Sequence, residues 1–284
     1  MSPSSPPRFA SLVVLRVLRG AAFVYCTVLL LLLLLENTLL YPAPKYPRGD
    51  WAPAYLDHED VFFKSADGTG LHGWLVEHPQ PRAVLMYCHG NGDCVGYLGR
   101  YLRQMRDQQQ VSVFAFDYRG YGRSEGSPIE RGILADGHAA QSWLAERTGR
   151  RLSDIVLMGR SLGGGVAVDL AAKNGARGLI LQNSATSIPE AAANTYWFLP
   201  VRTVMKNRYD SLSKIGRYAG PVLVSHGTAD DIVPFKLGRR LFEASPSEQK
   251  SFFSIEGGGH NDAEPPEYDA ALDEFLSELP PESQ

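Results

Sequence analysis

Cysteine is scarce in this chain, and the three residues present are irregularly placed. Cys26 lies in an apolar N-terminal run, while Cys88 and Cys94 flank a glycine-rich loop. An odd count without regular spacing argues against a disulfide framework, and no C-x-x-C pair marks a zinc site. A Cys88–Cys94 bridge would strain the loop between them. Positive charge is not in excess either. The net charge is −3, so nothing suggests a nucleic-acid partner, which would require a clustered basic surface. The chain has no G-x-x-x-x-G-K-[ST], and no G-x-G-x-x-G followed by an acidic residue about twenty positions on, so nucleotide binding is set aside. Internal repeats and long low-complexity stretches are missing too.

Apolar residues are plentiful, at 44% of 284 positions, enough for a sizeable core. Positions 21–35 carry no charge and end in seven consecutive leucines, Leu29 to Leu35. Fifteen helical residues reach about 22 Å, short of the roughly 30 Å hydrocarbon core. Extension back to Leu12 gives 24 residues that include Arg16 and Arg19, both near the upstream end, where long side chains snorkel. A cleaved signal peptide calls for a small-x-small site after the run, whereas Glu36-Asn37-Thr38-Leu39-Leu40-Tyr41-Pro42 follows. A buried core helix would show a polar face, and seven leucines in a row have none. The reading is therefore an uncleaved, single-pass signal anchor over 1–40. Arg8, Arg16 and Arg19 precede the run with no acidic residue among them, which places the N-terminus in the cytoplasm and the rest of the chain across the membrane. Residues 41–56, proline-rich, read as an extended linker along the membrane surface or the domain wall.

From 57 to 284 the pattern is one α/β domain. Strands are expected at 61–64, 71–76, 83–87, 111–116, 155–158, 179–181, 222–225 and 252–255. Helices are expected at 97–106, 133–147, 162–173, 235–244 and 268–279. Such alternation predicts a mostly parallel central sheet with helices on both faces.

Gly159-Arg160-Ser161-Leu162-Gly163 follows an apolar strand and opens a small-residue helix, the context in which G-x-S-x-G exposes a nucleophilic serine on a sharp turn. Side chains two residues to either side would collide, so both places are glycine. The helix N-terminus favours an oxyanion nearby. His226-Gly227-Thr228-Ala229-Asp230-Asp231-Ile232-Val233-Pro234 supplies Asp230 after a later strand, in the order Ser, Asp, His expected of such a site. Asp231 competes with it, but Asp230 fits H-G-x-x-D-x-x-V-P and Asp231 reads as a solvated loop residue. His226 reads as a support of the acid loop. Gly257-Gly258-Gly259-His260 places His260 after the last strand as general base. The remaining histidines read as surface or satisfied polar residues. Two backbone N–H donors are needed for an oxyanion hole. They are assigned to Leu162, next to the nucleophile, and to Asn91 in His89-Gly90-Asn91-Gly92.

These motifs, together with Asp117-Tyr118-Arg119-Gly120-Tyr121-Gly122-Arg123-Ser124, resemble the α/β-hydrolase-domain proteins, in particular the membrane-anchored branch with its acyl-protein thioesterase-like and serine aminopeptidase-like members. The resemblance runs from about 57 to 279, plus the anchor. It implies the α/β-hydrolase fold and hydrolysis of esters, thioesters or small peptides through an acyl-serine, with no metal and no cofactor. The expected partners are an acyl ester or thioester substrate, a lipid or acylated protein among them, and membrane lipid through the N-terminal helix. The 117–124 segment reads as structural, with Tyr118 or Arg119 as secondary candidates for the pocket wall. Between Gln182 and Lys214 a short cap insert is expected, with Tyr196-Trp197-Phe198-Leu199 as a lid over an acyl pocket, a bilayer contact, or a small packed helix. Arg202, Lys206 and Arg208 add charge for lipid headgroups or solvent. A non-catalytic membrane-bound scaffold is the reading from another class. It calls for loss of the serine, the histidine or an elbow glycine, and all are present.

Overall fold

The computed structural model describes residues 8–282. Eight strands form one sheet: β1 (Glu59–Lys64), β2 (Gly70–Val76), β3 (Ala83–Cys88), β4 (Val111–Asp117), β5 (Val156–Arg160), β6 (Gly178–Gln182), β7 (Val222–Gly227) and β8 (Lys250–Ile255). Their order is β1-β2-β4-β3-β5-β6-β7-β8, antiparallel at β1–β2 and β2–β4 and parallel from there to β8. The helices are α1 (Arg8–Leu34), α2 (Glu36–Leu40), α3 (Gly99–Gln109), α4 (Glu130–Thr148), α5 (Leu162–Asn174), α6 (Ile188–Thr195), α7 (Val201–Val204), α8 (Leu212–Ile215), α9 (Phe235–Ala244) and α10 (Pro266–Ser277). This is the α/β-hydrolase fold, with α6 and α7 forming the short cap.

Alternation along the strands sorts the core. In β3, Val84, Met86 and Cys88 pack on one side with Ile133 of α4, Val166 and Leu170 of α5 and Leu241 of α9. Ala83, Leu85 and Tyr87 pack on the other with Leu102 of α3 and Tyr268 and Leu272 of α10. Both faces of β3 are covered, which is why the strand reads as an unbroken apolar run. Chain order reverses at β3, since β4 lies on one side of it and β5 on the other. The loops leaving β3 and β5 therefore splay apart and open a crevice at the carboxyl edge of the sheet.

Among the described residues, one helix is long and apolar enough to cross a membrane, over Leu12–Leu34. The helix runs unbroken through Arg16 and Arg19 to Leu34 and bends at Leu35, just before α2. Residues 1–7 of the expected anchor and 283–284 of the expected catalytic domain lie outside the described residues. The proline-rich stretch follows the domain wall, the second of its two expected courses. Tyr41 is buried and its hydroxyl donates to Asn207 Oδ1 at 2.8 Å. Gly122 N–H donates to Pro44 O at 2.8 Å, and Asp50 N–H to Gly96 O at 2.8 Å. The Arg123 guanidinium lies over the Tyr46 and Trp51 rings.

Candidate active site

Ser161 joins β5 to α5 at φ 52°, ψ −115°. Few non-glycine residues adopt such a conformation, and a tightly determined turn is needed to hold one there. The flanking glycines make that turn. A Cβ on Gly159 would collide with the Gly163 carbonyl, and one on Gly163 with the Cys88 carbonyl. Ser161 N–H donates to Gln182 O at 2.8 Å, tying the turn to β6.

The structure brings the three predicted side chains together. His260 Nε2 lies 2.9 Å from Ser161 Oγ, and His260 Nδ1 lies 2.7 Å from Asp230 Oδ2. An ionised carboxylate only accepts, so Nδ1 carries the proton and Nε2 presents its lone pair to the serine hydroxyl. The other carboxylate oxygen, Asp230 Oδ1, accepts from Val233 N–H at 2.7 Å and Ile232 N–H at 3.0 Å. Burial works against the charge on Asp230. Bonds from His226, His260 and Val233 N–H outweigh it and hold the carboxyl well below its ordinary range. His226 Nε2 also donates to Val233 O at 2.8 Å. It is the brace of the acid loop that its position suggested. Asp231 is exposed.

Two residues at strand ends, to which the sequence reading gave no role, hold His260 in place. Asn183 Nδ2 and Arg160 Nη2 donate to the His260 carbonyl at 3.0 and 3.2 Å. Asn183 Oδ1 accepts from Gly227 N–H at 3.0 Å, so one side chain joins the acid strand to the base loop. Its φ of 45° at a strand end fits the tolerance of asparagine for left-handed backbone, the only sequence signal it offers.

The two expected oxyanion donors flank the serine. Leu162 opens α5, so its N–H has no acceptor within the helix. Asn91 uses its side chain elsewhere, donating from Nδ2 to Leu40 O at 2.6 Å and accepting at Oδ1 from Tyr121 OH at 2.7 Å. That leaves its backbone N–H as the group to offer. The loop runs close to the elbow: a Cβ on Gly90 would lie 3.9 Å from Ser161 Cβ.

Tyr118 and Arg119 do not line the cavity. Tyr118 is fully buried, and Arg119 is engaged by Asp136 at 2.7 Å and Asp67 at 2.8 Å. The 117–124 segment instead wraps the buried Asp117 carboxylate, which accepts from Val95 N–H at 2.9 Å. Gly122 packs against that carboxylate so closely that a Cβ has no room. All three cysteines are free, and burial pushes the Cys88 and Cys94 thiols up, away from thiolate chemistry. Among the described residues, no cluster of His, Cys, Asp or Glu is arranged to hold a metal ion.

Ser161 and His260 open onto a cavity of about 830 Å³. Its far wall comes partly from the cap, through Tyr196 and Leu199, and partly from the N-terminal helices, through Leu29, Leu32, Leu33, Leu39 and Leu40. The second contribution is not visible in the sequence, where those leucines read only as membrane-spanning.

Comparison with known proteins agrees with the fold. A family model described as serine aminopeptidase, S33, matches residues 79–212. A Mycobacterium tuberculosis protein described as uncharacterized is 38% identical over 215 residues, 72% of this chain and 73% of that one. Human alpha/beta hydrolase domain-containing protein 17C is 32% identical over 243 residues, 82% of this chain and 71% of that one. Among solved structures, the Pyrococcus furiosus esterase Pf2001 superposes with a TM-score of 0.70 at 18% identity, covering 84% of this chain and 98% of that one. A monoacylglycerol lipase from Paleococcus ferrophilus superposes at 0.57 and 22% identity, covering 72% and 98%. The chain belongs to the α/β-hydrolase family.

Proposed function

We propose that this chain is a membrane-anchored serine hydrolase that cleaves carboxylic esters or thioesters of acyl substrates through an acyl-serine intermediate. The observation that carries the reading is the continuous hydrogen-bond path from Ser161 Oγ through His260 to Asp230, at 2.9 and 2.7 Å, on the floor of a largely apolar cavity. In this reading Ser161 Oγ attacks the acyl carbonyl carbon while its proton passes to His260 Nε2. Asp230 stabilises the imidazolium. The N–H groups of Leu162 and Asn91 receive the developing oxyanion. Collapse breaks the bond from the acyl carbon to the alcohol oxygen or thiol sulfur, and His260 returns the proton to that leaving group. Water, deprotonated by the same imidazole, then releases the free acid and restores the serine.

Catalysis is assigned to 57–284, and anchoring to 1–40 with the N-terminus cytoplasmic, on the strength of Leu12–Leu34 and the basic residues before it. The structural neighbours include an esterase and a monoacylglycerol lipase, which agrees with ester cleavage. The description serine aminopeptidase favours a second reading, cleavage of small peptides by the same three groups. An aminopeptidase needs a carboxylate for the substrate's amino terminus. Two carboxylates border the cavity: Glu36 is already taken up by Lys206 and Asn207 N–H groups at 3.0 and 2.8 Å, which leaves Asp93 as the group this reading would use.

A fluorophosphonate probe should label the full chain and leave Ser161→Ala unlabelled. Equal labelling of both would overturn the assignment. A panel of acyl esters, acyl thioesters and aminoacyl amides separates the two substrate readings by which bond is turned over.

A further inference from the structure

Leu29, Leu32, Leu33 and Glu36 fall at i, i+3, i+4 and i+7, so they share one helical face. That face borders the cavity. Leu30, Leu31 and Leu34, at 57%, 52% and 68% exposure, turn away. The chain is fixed in this orientation. Glu36 is buried and accepts N–H bonds from Lys206 and Asn207, and the Asn207 Nδ2 bond at 2.8 Å besides. Leu40 O accepts from Asn91, the residue of the expected oxyanion loop. One turn before Leu29 on the same face, Tyr25 donates its hydroxyl to Phe198 O at 3.3 Å.

The Tyr25 contact places the cap relative to the helix. Tyr25 and Leu34 are about 13 Å apart along the axis, and Leu12–Leu34 extends about 34 Å against a hydrocarbon core of roughly 30 Å. The tip that carries Trp197 and Phe198, 81% and 57% exposed, therefore stands alongside the apolar span and well below its end. A helix that crosses the bilayer carries this tip and the adjoining cavity wall into one leaflet. Two adjacent exposed aromatics are costly in water and suited to a lipid boundary.

We propose that the N-terminal helix is a wall of the acyl-binding site, and that the substrate is a long-chain lipid ester resident in the bilayer. The acyl chain passes sideways from the leaflet between the helix and the Tyr196–Leu199 cap tip to Ser161. This rests on the serine-hydrolase reading above. The same leucines that dissolve in lipid on one side of the helix receive the acyl chain on the other, so substrate need not leave the hydrocarbon to reach the nucleophile.

The test uses the full chain in phosphatidylcholine vesicles. It compares hydrolysis of a long-chain monoacylglycerol in those vesicles with that of water-soluble p-nitrophenyl butyrate. The double variant Leu32→Trp/Leu33→Trp narrows the wall and should lower the long-to-short rate ratio roughly tenfold or more, since each excluded methylene forfeits about fourfold in binding. The double variant Leu30→Trp/Leu34→Trp, on the opposite face, should leave the ratio within about twofold, the effect of a surface change. Equal ratios in the two variants would overturn the proposal. So would turnover of an S-acylated peptide on the same vesicles with none of the lipid ester. A readout independent of turnover uses brominated acyl chains, which should quench wild-type tryptophan fluorescence, with most of the quenching lost in Trp197→Phe. No quenching would overturn the membrane placement. Fluorophosphonate labelling separates the outcomes. An unlabelled wild type defeats the hydrolase reading itself, whereas a labelled enzyme with an unmoved ratio defeats the acyl wall alone.

Discussion

Ser161 and Leu33 face the same cavity, yet different physics brings them there. The serine is placed by its immediate neighbours. Two glycines without room for a Cβ and a backbone bond to Gln182 O leave its turn few alternatives. The leucine sits in a run of seven leucines that would all be content in lipid, and nothing within the run says which face turns inward. That choice is made at a distance by Glu36, a carboxylate buried against the Lys206–Asn207 backbone. Local steric constraint leaves a mark in sequence as a motif. Docking of a uniform helix leaves one only in the polar residue that ends it.

The largest effect expected on the locally built side of this comparison is at the acid. Asp230→Asn keeps the shape but replaces one carboxylate oxygen with an amide donor, so His260 loses the acceptor that fixes Nδ1–H. For a group that orients a catalytic histidine, kcat falls on the order of 10⁴-fold. Ester turnover measured on the purified variant checks this. A loss below about tenfold would mean that the exposed Asp231 or the second histidine, His226, takes over the role.

That asymmetry also explains how much was legible beforehand. Eight strands in the expected order follow from apolar runs punctuated by glycine and from strand–helix alternation. The helix expected at 268–279 is Pro266–Ser277, displaced because proline at the first helical positions opens the helix earlier than the apolar pattern does. Ser161, Asp230 and His260 stood out because each follows a strand in a glycine-marked loop. Asn183 and Arg160 did not, since their task is to grip the His260 carbonyl across the crevice. The proline-rich stretch announced its extended backbone but not its partners, Gly96 and Gly122. Those glycines sit far along the chain, and a Cβ on Gly96 would strike the Trp51 ring.

Glu36→Ala attacks the docking side. It leaves the Lys206 and Asn207 N–H groups without their acceptor in a partly buried site, while Asn207 Nδ2 keeps Asn37 Oδ1 at 2.8 Å. Losses of about 1–3 kcal/mol per unsatisfied buried donor apply, and water entering the gap recovers part of them. A net local destabilisation of about 3 kcal/mol is expected. It should appear as faster amide exchange at 206–209, with protection across β5 and α5 retained. Uniform loss of protection through the sheet would show instead that the helix junction and the elbow belong to one cooperative unit, and the comparison would fail.

Acid has the smallest effect, and it falls on one side of the cavity. Asp169 lies on α5, the helix that starts next to Ser161, and its carboxylate meets Lys173 and Lys214 at 2.8 Å and His138 at 3.1 Å. Burial alone would raise its pKa, but the bonds from His138, Lys173 and Lys214 prevail and lower it well below the ordinary value. Asp230 is depressed in the same way. A depressed carboxyl binds its proton more tightly in the unfolded chain, so its stabilisation is complete above about pH 4 and is lost as the pH falls towards the folded value. At pH 3 each of the two groups should have given up about 1.3 kcal/mol. The loss belongs to the elbow side. Leu29–Leu33 carry no titratable side chain of their own, and their amides lie within the apolar span. Amide exchange at pH 3 and pH 6, corrected for intrinsic rates, should therefore show α5 and the 227–234 loop weakening while Leu29–Leu33 stays protected in vesicles. Weakening of α1 to the same degree would mean that the helix depends on the elbow for its place, and that the two halves of the cavity are not built independently.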